Sequence, residues 1–173
     1  GWAHLLLPPG VASSGGVDDE VADGVAGVVI SLLESGAEIV ADERPARLGA
    51  LSPGRIAVGV SHTIQADMVR ARLAAAGVSG VQVDTANRLQ GLEFDVTVVW
   101  HPLSGMVEAD EFHLDAGRMC VLLTRHRHGC VVVGLESDLV FSYHPPVLRE
   151  SGEGLSRAVI EAWEAHTIVL EQL

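Results

Sequence analysis

Short continuous apolar runs alternate along this chain with stretches whose apolar residues recur every three or four positions. Ile56-Ala57-Val58-Gly59-Val60, Val81-Gln82-Val83, Val96-Thr97-Val98-Val99-Trp100 and Cys130-Val131-Val132-Val133-Gly134 read as strands. Such runs suit strands covered on both faces, which have no polar side to show. Val21, Val25, Val28, Val29 and Leu32 keep helical spacing. Asp18-Asp19-Glu20 opens that helix, with carboxylates facing the positive end of its dipole, and Ser35-Gly36 ends it. A second helix follows Val60, with Ile64, Met68, Ala71 and Ala75 as its apolar stripe, Arg70 and Arg72 off it, and Gly77 as its stop. Asp115 is placed to cap a third, in which Met119, Leu122, Leu123 and His126 fall at i, i+3, i+4 and i+7. After a Pro-broken linker, Leu155, Val159, Ala162, Trp163, His166 and Leu170 mark an amphipathic terminal helix. The remainder reads as connection: a short apolar piece, Leu5-Leu6-Leu7, with Pro8-Pro9 after it, a connector over 41–54, and an acidic loop over 101–114. Strands alternating with helices predict an α/β layer fold with a mostly parallel sheet flanked by helices.

Composition narrows this picture. At 173 residues the chain is long enough for one domain with a real core. It is 48% apolar but only 4% aromatic, so small and branched residues must fill that core. No apolar run approaches the roughly 18 residues that would span a bilayer, and no membrane partner is expected. Two cysteines, Cys120 and Cys130, do not make a disulfide framework, and a reducing, cytoplasmic setting is the default expectation. The chain does not begin with Met, so the expectation is a piece of a larger protein. Its formal charge of −12 argues against a stand-alone nucleic-acid-binding module, since capture of phosphates needs a cationic surface. All eleven basic residues are Arg. A phosphate loop of the form Gly-x-x-x-x-Gly-Lys-Ser/Thr is therefore absent from the chain.

Two segments carry candidate chemistry. The first runs Val83-Asp84-Thr85-Ala86-Asn87-Arg88-Leu89-Gln90-Gly91-Leu92-Glu93-Phe94-Asp95-Val96; the second runs Gly117-Arg118-Met119-Cys120-Val121-Leu122-Leu123-Thr124-Arg125-His126-Arg127. They resemble motifs V and VI of superfamily 1 helicases, in the branch that contains the RNA-surveillance and Okazaki-fragment-processing enzymes. The segment Ser61-His62-Thr63-Ile64-Gln65 lies where motif IV belongs, and only Gln65 matches that pattern. The resemblance covers residues 50–136 and implies the second RecA-like lobe of such a helicase, with 1–50 as an N-terminal portion and 150–173 as a C-terminal helix.

The resemblance implies roles residue by residue. Arg125 would be the catalytic arginine finger that meets transferring phosphate charge across the lobe interface, using a rigid and always-charged fork. Gln90, Gly91, Glu93, Arg118, Arg127 and Gln65 would contact ATP, with Glu93 able to accept from ribose hydroxyls. Thr85 would bond a nucleic-acid phosphate, and His62, in the aromatic position of motif IV, could stack on a base. ATP and Mg2+ would be held mainly by an N-terminal RecA-like lobe of the same parent, and the two lobes together would move along single-stranded DNA or RNA. The isolated lobe would be inactive. His126 stands where the pattern has Ala, and Cys120 where it has Asn. Two other readings stay open: a regulatory or scaffold domain that keeps the fold without translocation, and a small zinc module built on Cys120, His126, His128 and Cys130. No assigned role falls to His101-Pro102-Leu103-Ser104-Gly105.

Overall fold

The computed structural model describes residues 1–8, 17–43, 46–106, 112–139 and 157–172. Its centre is a five-stranded, entirely parallel sheet in the order β1-β7-β6-β4-β5. The strands are β1 (Trp2–Leu7), β4 (Ile56–Val60), β5 (Gln82–Thr85), β6 (Phe94–Trp100) and β7 (His126–Leu135). Between β1 and β4 lie α1 (Asp19–Glu34) and a separate antiparallel ribbon of β2 (Glu38–Glu43) and β3 (Ala46–Ala50). The remaining helices are α2 (Thr63–Ala75), α3 (Ala86–Leu89), α4 (Ala116–Leu123) and α5 (Arg157–Gln172). None of the described helices is long and apolar enough to cross a membrane.

Alternation along the strands assigns the layers. Val58, Val60, Val96, Val98, Trp100, Val133 and Leu135 face α1 and α2, where they meet Val21, Val25, Val29, Ala66, Val69 and Leu73 in the larger core. Val99, Cys130 and Val132 point the other way, onto Ala86, Met119, Leu122 and Leu123 of α3 and α4. The result is a three-layer α/β arrangement of the RecA-like kind.

Glycines permit close approach at two places. A β-carbon on Gly59 would sit 2.7 Å from Leu122 Cδ2, so α4 rests directly on the bare backbone of β4. One on Gly24 would meet Leu7 Cδ1 at 2.6 Å, where α1 crosses β1. The caps follow the sequence: Asp18 Oδ1 accepts from Val21 N, and Asp115 Oδ1 accepts from Arg118 N, each at 3.0 Å. Gly77 ends α2 with a φ of +74°.

Four expectations need correction. The connector over 41–54 is in large part the β2–β3 ribbon, among whose residues of described burial none is fully buried, so no strong alternation marks it. The stripe of α2 is displaced: Gln65, Ala66, Val69 and Leu73 are buried, while Ile64 is 51% exposed. Gln65 is drawn inward because its Oε1 accepts from the backbone of both Ser61 and His62 at 3.0 Å, a tie that periodicity cannot reveal. His126 does not extend the α4 stripe. The helix closes at Thr124, whose hydroxyl donates to Cys120 O at 2.6 Å, and His126 opens β7. The short Leu5-Leu6-Leu7 piece belongs to a full edge strand, β1, in parallel register with β7. Leu155 lies outside the described residues, as do the side chains of Val159 and Leu170, so the terminal stripe stands on Ala162, Trp163, His166 and Val169.

Candidate functional site

Strand register sorts the motif residues into two groups. Phe94 is paired with His126, so the Gln90-Gly91-Leu92-Glu93 turn and the Thr124–Arg127 segment meet at the amino edge of β6 and β7. Phe94 N donates to Arg125 O at 2.9 Å and ties the two segments together. Val60 is paired with Thr85, so the His62 turn and Thr85 lie at the carboxyl edge of β4 and β5. Arg118, in the first turn of α4, belongs with this second group. At about 3.3 Å per residue, roughly 20 Å of strand separates the two edges.

At the amino edge the turn is built for exposed backbone. Gly91 has a φ of +80°, which a side chain would resist, and Gln90, Gly91, Leu92 and Glu93 are all exposed. Glu93 pairs with Arg127 at 3.2 Å, both side chains more than half exposed. Such a bridge is worth at most about 1 kcal/mol, so a ligand can displace it cheaply. Arg125 is different. Its Nη2 donates to Thr124 Oγ1 at 2.9 Å, its Nε is buried without a partner, and no carboxylate among the described residues pairs with it. Arg55, Arg70, Arg72, Arg88 and Arg127 all pair with Asp or Glu. The Arg125 guanidinium is thus half-buried and unpaired with any described carboxylate.

At the carboxyl edge the side chains stack. The His62 ring lies over Phe112 with centroids 5.0 Å apart and an interplanar angle of 18°. The Arg118 guanidinium sits 3.5 Å from the Phe112 centroid, a cation–π contact. His62 Nε2 and His113 Nε2 are 2.8 Å apart, so one ring donates to the other. Thr85 is half-buried at the end of β5. Next to it, Asp84 collects Arg88 at 3.3 Å and Arg70 at 3.8 Å. Phe112 and His113 were not among the sequence candidates, because they lie in a loop without periodicity. The only signal was two ring side chains interrupting an acidic run.

A third polar group surrounds His101, in the loop to which the sequence assigned no role. His101 is fully buried just after β6, its Nδ1 accepting from Leu103 N at 3.3 Å. Burial holds it well below the usual imidazole range, and the neighbouring His166 and His4 add to the effect. Asp138 lies beyond it, accepting from Leu135 N at 2.7 Å and Gly105 N at 3.4 Å. Burial pushes its carboxyl up to about 6, although these hydrogen bonds work the other way.

A family model for the AAA domain matches residues 20–137, about two thirds of the chain. The chain belongs to the AAA domain family. This AAA domain is of the helicase-associated, P-loop/RecA-like class, a helicase-type ATPase domain. No curated protein matched. The matched span includes both motif segments and all of the sheet except β1.

Domains of this class use a nucleotide with Mg2+. The phosphates of a nucleotide fit the acid-free guanidinium of Arg125. Among the described residues no group of three or more His, Cys, Asp or Glu could hold a metal ion. The four residues of the zinc reading do not form such a group. Cys120 is exposed on α4, burial pushes the Cys130 thiol up, and His128 Nε2 contacts Val40 O at 3.1 Å and Asp95 at 3.4 Å.

Proposed function

We propose that this AAA domain is the second motor lobe of a superfamily 1 helicase, with Arg125 as the arginine finger for ATP held on a first lobe. The observation that carries the reading is that Arg125 has no described carboxylate partner, whereas Arg55, Arg70, Arg72, Arg88 and Arg127 each pair with Asp or Glu. As water attacks the γ-phosphorus and the bond to the β-bridging oxygen breaks, charge builds on the phosphoryl oxygens, and Arg125 would stabilise it. Arg127 and Glu93 would exchange their surface bridge for nucleotide contacts, beside Gln90 and Gly91. His62, Thr85 and Arg118, at the opposite edge, would face the nucleic-acid strand. Gln65 would act there by holding the His62 turn.

The test is ATP hydrolysis by the full-length parent with and without single-stranded DNA or RNA, comparing wild type with Arg125→Ala. Strand-stimulated turnover should fall by roughly 10³-fold or more in the variant, the scale of a lost arginine finger, while ATP binding persists. Near-wild-type turnover in the variant would refute the assignment. A second reading, a non-translocating regulatory domain, draws on the engagement of His62 with Phe112 and His113 and on the burial of Gln65. Absence of strand-stimulated turnover in the wild-type parent would favour it.

A further inference from the structure

Helix α5 packs on α4 and on the turn at Glu136–Leu139 through one face. Ala162 meets Leu103 and Leu114, Trp163 lies beside them, and Val169 joins the Met119–Leu122–Leu123 cluster of α4. In the middle of this face is His166, completely buried, close to the backbone of His113 and Leu114 but with no ion-pair partner among the described residues. Its ring meets that of His101 edge-on, with centroids 5.5 Å apart. A neutral imidazole is tolerated in such a place, but an imidazolium without a counter-charge is not.

We propose that α5 is an acid-released clamp on α4: a proton taken up at His166 undocks the helix. The site lies within a run of five of the eight histidines, His4, His101, His166, His113 and His62, along the carboxyl edge. His101 and His113 face His166 directly, so each proton taken up by one opposes the next. The backbone of His113 and Leu114 favours the proton, but burial outweighs it. Among charged groups on the packed elements, α4 offers Asp115, which is exposed, and Arg118, which is committed to Phe112. The turn after β7 offers exposed Glu136 and buried Asp138, and α5 itself carries exposed Glu161 and Glu164. Asp138 is the buried carboxylate of the set. Its oxygens accept from the backbone of Leu135 and Gly105, and it forms no ion pair with His166.

The sign follows from the lowered affinity of His166 for protons. Burial, with His113 adding to it, takes its pKa from 6.5 down to about 4. Docking is therefore fully supported above pH 6.5 and weakens as pH falls towards 4. From pH 7 to pH 5 the undocking constant should rise roughly 20-fold through His166 alone. Asp138 works oppositely on global stability, so a global melt would blur the two effects and a local readout is required. Undocking removes Val169 from the helix that ends at Thr124-Arg125, but the device does not depend on the nucleotide reading.

Hydrogen exchange of the intact chain, corrected for intrinsic rates, gives the local readout. The α5 amides are followed from pH 7.5 to pH 5, with those of α1, which has no histidine, as internal reference. In wild type, α5 protection should fall roughly 20-fold relative to α1, and in His166→Leu it should stay level. Parallel behaviour of α5 and α1 in wild type would overturn the proposal, as would an α5 loss of equal size in His166→Leu. Should that variant fail to fold, the His166 ring signal of the wild type decides by NMR. Titration below pH 5 that tracks loss of α5 protection supports the clamp, and titration near 6.5 with α5 still docked sinks it.

Discussion

Gly59→Ala tests the claim that α4, the helix leading to Arg125, is seated on bare backbone. The new methyl would lie 2.7 Å from Leu122 Cδ2, 3.5 Å from Leu89 Cδ1 and 3.8 Å from Val99 Cγ2. Carbon atoms pack at about 3.5–4.0 Å, so Leu122 must retreat by roughly 1 Å. It has little room, being 1% exposed among Ala86, Val99, Met119 and Val132. Overpacking of this kind costs about 1–3 kcal/mol, and the lower entropy of the unfolded alanine chain returns about 0.4–1 kcal/mol. The net expectation is destabilisation by about 1–2 kcal/mol, read as a lower urea midpoint at unchanged slope. Leu122→Ala alone should cost about 2–5 kcal/mol through its cavity, and the double variant should cost less than the sum because the new methyl occupies part of that space. Gly24→Ala is the control. Its methyl meets Leu7 at a similar distance, but Leu7 is only half-buried, beside a groove lined by Leu5, Val28 and Leu32. There the leucine can swing away and α1 gains helix propensity, so near-neutrality is expected. A Gly59→Ala protein as stable as wild type, or strict additivity with Leu122→Ala, would refute this account of the β4–α4 contact.

Two further outcomes are expected from buried charge. Arg55→Ala removes the 2.6 Å partner of Asp95, whose side chain is 9% exposed, leaving the His128 ring at 3.4 Å beside it. Denaturant unfolding should show a loss of about 1.5–3 kcal/mol, with less loss in Arg55→Ala/Asp95→Asn. Asp138, with its pKa raised from 3.8 to about 6, contributes stability that is complete below pH 3.8 and is lost as pH rises through 6. Stability measured across pH 4–6.5 should therefore fall less steeply with rising pH in Asp138→Asn than in wild type. Identical slopes would remove Asp138 from the account.

What the sequence determined by itself was the class of fold, with several of its caps and turns. Runs such as Val96–Trp100 are apolar throughout because both faces are covered, and that property survives reading without coordinates. Asp18, Asp115, Gly77 and Gly91 announce local geometry, since caps and left-handed turns are fixed by neighbours in the chain. Tertiary structure decided the rest. Gln65 is inside and Ile64 outside because two backbone N–H groups at the end of β4 need an acceptor, a demand set by how strand meets helix. The Arg125 group and the His62 group are a strand length apart because of register, which depends on pairing between segments distant in sequence. His101, His113 and His166 look like isolated polar residues along the chain. The docking of α5 over the end of β6 brings them together, and burial there lowers the proton affinity of His101 and His166.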